Sequence, residues 1–371
     1  MQKELLEGIW TILSITIGAG VIALPFVVAK AGFLTGVLVI IVLGLLMILV
    51  NLYLGEILLR TRIRHQISGL AEIYLGKIGK PFMMIFNALS LYGALVAYII
   101  GAGASLHGIF GGNELIFSII FFILLSIVIF FGINFFAKVE FILNPLKIIF
   151  LLVLVFSLVK TINFSYLANF DFYKLLIPYG VVMFAFTSFS AIPEMNQEIK
   201  NKINLKKAII IGGILTILLY LLFVFAVVGS LDGNVQEVST TSFNIIGKNA
   251  SLFANLFALL AMTTAFVGLG FALKDNFKLD YRLPNWLSWL LVISIPFFLF
   301  IFNLGNFIFF LEISGAVAIG IMLFLILLMH SRSKKKGDRK PEYELKDNLF
   351  IKGLIYILIL IGIIYVLIGY F

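Results

Sequence analysis

Apolar runs of about twenty residues recur along the chain, nearly free of charge and separated mostly by short polar connections. A bilayer core needs roughly 20 apolar residues in helical form. Open strands and lipid-exposed loops are excluded there, because their backbone groups would go unpaired. The pattern predicts eleven spans at about 8–30, 33–56, 81–107, 114–134, 139–160, 175–195, 206–229, 251–273, 285–303, 307–330 and 349–370. The longer connections are 57–80, 230–250 and a charged 331–348, and none reads as a soluble domain. The first run is too long for a cleavable signal and leads straight into further spans. The expected fold class is therefore all-α integral membrane, with multiple passes through the cytoplasmic membrane.

Composition sharpens this picture. The 371 residues are 62% hydrophobic and 12% charged, with a net charge of +9. In a soluble protein that charge would suggest nucleic acid; here basic residues mark cytoplasmic connections. With the N-terminus inside, 21 of the 27 Lys and Arg fall in inside segments, from Lys3 and Arg60, Arg62 and Arg64 to Lys138 and Arg332–Lys346. Only Lys30, Lys160, Lys174 and Lys248 fall outside, while Lys147 and Lys352 lie within spans. The bias fixes the N-terminus in the cytoplasm. There is no cysteine, so no disulfide, Fe–S cluster or thiol nucleophile is available. Three scattered histidines make no metal site. No cofactor, nucleic acid or obligatory protein partner is expected beside the lipid bilayer.

Two spans carry interruptions. The first reads Ser14-Ile-Thr-Ile-Gly-Ala-Gly-Val-Ile-Ala-Leu-Pro25. Gly18 and Gly20 do not stiffen the backbone, and Pro25 cannot donate a hydrogen bond. The N–H groups freed by such a break suit a carboxylate; close packing through small residues is the plainer role. The sixth span has Thr187, Ser188 and Ser190 at its centre, then Pro193 and Glu194. Mid-span hydroxyls can back-bond to their own helix, and without a central glycine a second break is the weaker expectation. Interrupted segments opening two runs of five spans point to an inverted-repeat transporter with its site at the midplane.

These residues also carry a resemblance. Thr16-Ile-Gly-Ala-Gly-Val-Ile-Ala-Leu-Pro25 resembles the first-helix signature of transporters in the amino acid/polyamine/organocation superfamily. The eighth span, Phe257 to Asp275, looks like the tryptophan/tyrosine permease branch, and Ile192-Pro193-Glu194 fits that branch and its auxin/amino-acid permease relatives. The resemblance covers roughly 8–330. It implies a leucine-transporter (LeuT) fold: two five-helix inverted repeats, 8–160 and 175–330, a basic loop at 331–348 and an added eleventh helix at 349–371. It implies a substrate carboxylate on the N–H groups of Gly18, Ala19, Gly20 and Val21, beside Thr16. The substrate amino group would meet carbonyls of Phe184, Ala185 and Phe186, with Thr187 and Ser188 bordering the side-chain pocket. The branch suggests import of neutral, including aromatic, amino acids as a secondary transporter.

Lys147 lies about two turns into the fifth span from the cytoplasmic side. A membrane lysine faces a cavity or partner, or snorkels to the interface. Some sodium-independent members of the superfamily carry a fifth-helix lysine where sodium-coupled ones bind an ion, and Val139-Glu140 before Lys147 is similar to theirs. The resemblance places that ion site at carbonyls of Ser14 and Ile17 with hydroxyls Thr263 and Thr264. Burial disfavours a charged amine and would let Lys147 exchange protons. Proton coupling is the expectation, with sodium coupling as the alternative. Glu312, one turn into the tenth span, is a candidate outer gate, or simply a carboxylate favoured near a helix N-terminus. Glu194 and Glu198 read as partners of nearby lysines and Glu56 as an interfacial cap.

Other readings are weaker. Gly103-Ala-Ser105-Leu resembles an intramembrane serine protease string, but no base is placed for it: His65 and His330 fall at loops and His107 is two residues away. No Walker A string is present. The chain is not expected to be an enzyme. A non-transporting amino-acid sensor remains the alternative of another class, although no signalling domain accompanies the spans.

Overall fold

In the computed structural model, which describes residues 2–62, 65–131 and 133–370, every regular element among them is helical. The side chains of 2, 133–142, 232, 279 and 280 lie outside that description. Arg64 and the side chains of Lys138, Val139 and Glu140 therefore fall outside it as well.

The order is α1 (Gln2–Thr16), α2 (Ala19–Ala31), α3 (Phe33–Leu59), α4 (Ile67–Leu75), α5 (Gly79–Phe110), α6 (Glu114–Phe131), α7 (Ile133–Leu158), α8 (Tyr179–Ala185), α9 (Ala191–Glu198), α10 (Lys202–Leu231), α11 (Lys248–Asp275), α12 (Asn285–Ile301), α13 (Phe307–Glu312), α14 (Gly320–Lys336) and α15 (Leu349–Tyr370). Among the described residues, eight helical segments are each long and apolar enough to cross a membrane. The pair α1 and α2 forms a further broken span, bent by 60°. A π-helical stretch, Ile313–Ile319, joins α13 to α14 in one of the eight. The segments expected as the sixth and ninth spans are the broken pair α8 and α9 and the 17-residue apolar helix α12.

Packing follows the apolar pattern. Helix α5 lies against α6 and α11, α1 against α10, and α10 against α3. Helices α6 and α15 keep apolar faces such as Ile123, Leu124, Leu360 and Ile364 exposed; in a bilayer these meet lipid. The turn between α2 and α3 is the single residue Gly32, at φ 93°, where a side chain would also meet the Asn169 carbonyl.

Several boundaries differ from the sequence pattern. The first helix starts at Gln2 rather than near residue 8, and α4 lies within the 57–80 connection. The tenth span runs on to Lys336, so the basic connection is helical in its first third. This corrects the placing of His330 at a loop: it is a fully buried residue of α14.

Its surroundings explain why the helix continues. Glu56, expected as an interfacial cap, is fully buried and accepts from Arg60 at 2.9 Å and from the Leu345 N–H at 2.7 Å. The oxygen that accepts from Leu345, Oε2, also lies 3.0 Å from His330 Nε2, while Arg60 holds Oε1. His330 Nδ1 lies 2.9 Å from the Lys352 ammonium, which also donates to Ser331 and pairs with Asp347 at 2.5 Å. An ammonium can only donate. Nδ1 must therefore accept, and Nε2 carries the proton that goes to Glu56, so His330 sits as one neutral tautomer. This network joins α3, α14, the 337–348 connection and α15.

Candidate functional site

Helix α1 stops because Ile17 and Gly18 leave helical geometry, Gly18 at φ −134°, ψ −148°. Gly20 and Pro25, expected at the break, lie inside α2. Helix α2 opens with no side-chain cap on its first N–H groups, so those donors have no helical acceptor. The second break, the weaker expectation from sequence, is present. Residues 186–190 are unwound between α8 and α9 without any glycine. Hydroxyls take over there: Thr187 donates to the Met183 carbonyl at 3.0 Å, and Ser188 accepts from Asn51 at 2.9 Å.

The two breaks meet. A Cβ on Gly20 would lie 2.6 Å from the Ala185 Cα, so only glycine lets α2 come this close to α8. Beside the contact is a cavity of about 570 Å³. Thr16, Gly18, Gly20, Phe184, Ala185 and Thr187 line it. Ala19 and Val21 are fully buried away from it, and Phe186 and Ser188 turn to a small gap against α3 and α10. The cavity extends to Gln66, Glu194, Glu198, Asp275 and Asn276, at the membrane face that carries the basic connections; charge bias assigns that face to the cytoplasm. Glu194 and Glu198 thus line its mouth, and among the described ion pairs none joins Glu198 to a lysine.

Sequence reasoning passed over one wall. Asn87, Ser90, Leu91, Ala94 and Tyr98 of α5 line the cavity, and a Cβ on Gly18 would lie 3.2 Å from the Tyr98 hydroxyl. Asn87, Ser90 and Tyr98 follow helical spacing with the small Ala94 between them, so polar and small residues along one face of an apolar helix were the available signal. Leu269 and Ala272 of α11 and Met322 of α14 complete the walls.

Lys147 is 2% exposed and reaches the end of α1. Its ammonium donates to the Ser14 carbonyl at 3.1 Å and the Ile17 carbonyl at 3.4 Å. These are among the last carbonyls of a helix that has stopped, where a cation is favoured by the dipole. The Thr264 hydroxyl donates to Leu260 and Ala261 of its own helix, and Thr263 is half-buried on the same turn. Glu312 accepts from the Tyr370 hydroxyl at 2.5 Å, and its backbone packs on Gly180 of α8. Lys274, counted among the inside basic residues, is buried and caps α6 through the Ile129 and Phe130 carbonyls. Among the described residues no three His, Cys, Asp or Glu side chains gather as a metal site.

The model of the tryptophan/tyrosine permease family matches residues 1–369. The chain belongs to that family. Among characterised proteins, glutamine transporter 2 of Aliivibrio fischeri is 26% identical over 356 residues, 90% of this chain and 89% of the relative. Tyrosine-specific transport system 2 of Haemophilus influenzae is 26% identical over 298 residues, 73% of each chain. The crystal structure of MhsT in complex with L-phenylalanine superposes with a TM-score of 0.68 at 16% identity, covering 99% of this chain and 98% of that one. The fold is thus of the LeuT type. The permease is a multi-pass membrane protein and a secondary transporter of amino acids, not an enzyme.

Proposed function

We propose that the permease imports a neutral amino acid by proton-coupled alternating access, using two five-helix repeats, 8–160 and 175–330, with α15 added beyond them. The substrate carboxylate takes N–H groups of the first turn of α2 at Gly20, where the cavity reaches the main chain, with Thr16 beside it; the Gly18 N–H already donates to the Thr16 carbonyl at 3.0 Å. Its ammonium takes carbonyls at the Phe184–Phe186 end of α8, and Thr187 borders its side chain; Ser188 supports the break from behind through Asn51. Lys147 carries the coupling proton at the Ser14 and Ile17 carbonyls, and the hydroxyls of Thr263 and Thr264 on α11 belong to the alternative, sodium-coupled reading. Glu312 serves as the outer gate.

The observation that carries this reading is the cavity at the meeting of two broken helices, with an ammonium seated on the end of one of them. A neutral side chain is supported by the walls, where Ser90 and Thr187 stand among Leu91, Ala94, Phe189 and Leu269, and by the acidic mouth, which repels an anion. The relatives named for glutamine and tyrosine fit the same class.

The test is uptake of labelled tyrosine, phenylalanine, tryptophan, glutamine, serine and alanine into proteoliposomes under imposed pH or sodium gradients. Accumulation of one of them down a pH gradient without sodium supports the proposal. Sodium dependence without any pH response transfers the coupling to sodium, and binding without accumulation makes the protein a sensor.

A further inference from the structure

Helix α10 carries one fully buried polar ring behind the meeting point of the two breaks. The Tyr220 hydroxyl lies 2.6 Å from the carbonyl oxygen of Thr16 and 2.7 Å from that of Ala185. Thr16 is the last residue of α1, and Ala185 is the last of α8. Because both helices stop there, neither carbonyl has the donor of a regular following turn; the Thr16 oxygen accepts from the Gly18 N–H at 3.0 Å and keeps its second lone pair for Tyr220. A phenol has one proton and donates to one acceptor at a time. Both oxygens nonetheless sit at hydrogen-bond distance. The proton can pass between them, so the bridge survives small tilts of either half-helix. One turn earlier, the Thr216 hydroxyl is 3.3 Å from the Thr16 hydroxyl. Helix α10 therefore grips α1 at two points, but through Tyr220 it also reaches α8.

We propose that Tyr220 is a positioning residue of the transport site. It sets the separation between the donors of α2 and the acceptors of α8, and thereby the span offered to the substrate's carboxylate and ammonium. The residue does not line the cavity and touches no substrate; it acts through the two carbonyls it joins. The proposal rests on the reading of the two breaks as the substrate site.

Tyr220→Phe removes the bridge and keeps the ring. Binding and uptake are measured on the purified, reconstituted permease with whichever labelled amino acid the wild type accumulates, and affinity is also read from substrate protection against melting, which works for a less stable variant. The expected result is a KM and binding constant weakened about tenfold or more, as the loss of a buried donor implies, with maximal rate little changed. Thr216→Val, which loses only the grip on α1, should bind like the wild type. Equal weakening by both variants, or a lower maximal rate at unchanged KM, overturns the proposal. Gly20→Val separates the two readings, since its side chain forces α2 from α8. If Gly20→Val loses binding while Tyr220→Phe keeps it, only the positioning role falls. If both bind like the wild type, the two-break site itself is wrong.

Discussion

Of the lysines buried in apolar helices of this permease, Lys147 and Lys352 are each 2% exposed and are held in different ways. Lys352 of α15 meets an ion-pair network of side chains, the Asp347 carboxylate, the Ser331 hydroxyl and His330 Nδ1, with the Leu327 carbonyl at 3.3 Å beside them. Lys147 of α7 meets the main chain of α1 where that helix has stopped. An ion pair inside a network keeps its charge and fastens the elements that carry it. An ammonium on the carbonyls of a helix end fastens that end, here the end of α1 beside the cavity. The same residue type therefore serves attachment in one place and, on the proposed reading, coupling in the other.

The sharpest way to break this comparison is to remove each ammonium in turn. Lys147→Ala is expected to reduce gradient-driven accumulation to that of empty vesicles while still binding substrate. Lys352→Met is expected to accumulate substrate and to lose stability instead. Wild-type accumulation by Lys147→Ala would make Lys147 a packing residue that snorkels, and the two lysines would then be alike.

The next effect is on stability. Glu56 is fully buried and answers Arg60, His330 and the Leu345 N–H, with Lys334 at 3.7 Å. Glu56→Gln leaves the neighbouring cations without their anion and is expected to cost about 3–5 kcal/mol, read from unfolding in detergent. A cost near zero would mean that the network is solvated and does not fasten α15.

Much of the fold was legible in the sequence, because hydrocarbon thickness and charge bias act on every span alike. The first break was legible in Gly18, though Gly20 serves close approach to Ala185 and Pro25 lies within a helix. The second break was underestimated, since it rests on contacts from other helices, such as Asn51 to Ser188 and Tyr220 to Ala185, which no local pattern announces. For the same reason Glu56 and His330 read as edge residues. Their partners are 289 and 22 positions away in the chain and meet only in the folded protein.

A smaller effect tests the assignment of His330. The glutamine amide can donate to Glu56 from one end and accept from Lys352 at the other, as the neutral imidazole does. His330→Gln should therefore stay within about 1 kcal/mol of the wild type, whereas His330→Leu strands both partners and should cost about 1–3 kcal/mol. Equal losses would mean that ring packing against Tyr53, 4.2 Å away, matters more than the hydrogen bonds.

The smallest expected effect is that of pH on the attachment of α15. Partial burial pushes the Asp347 carboxyl up, but hydrogen bonding to Lys352, the charge of that ammonium and the Ser331 hydroxyl outweigh it and hold the group below its ordinary value. The Glu344 carboxyl, fully exposed, is likewise held low by its hydrogen bond to Lys334 and the charges of Lys334 and Arg60. A carboxyl depressed in the folded state adds stability that is complete above its unfolded value, near ~4, and is lost as pH falls through the folded value. These two groups therefore leave stability flat from neutral pH down to about 5 and lower it only under stronger acid. Proteolysis of the 337–348 connection as a function of pH reads this directly, and Asp347→Asn should lower the plateau and flatten the acid limb. A loss already between pH 7 and 5 would point to a histidine that gains a proton in that range. His330 would then accept charge against Lys352, and the neutral tautomer that the Lys352 ammonium dictates could not be the resting state.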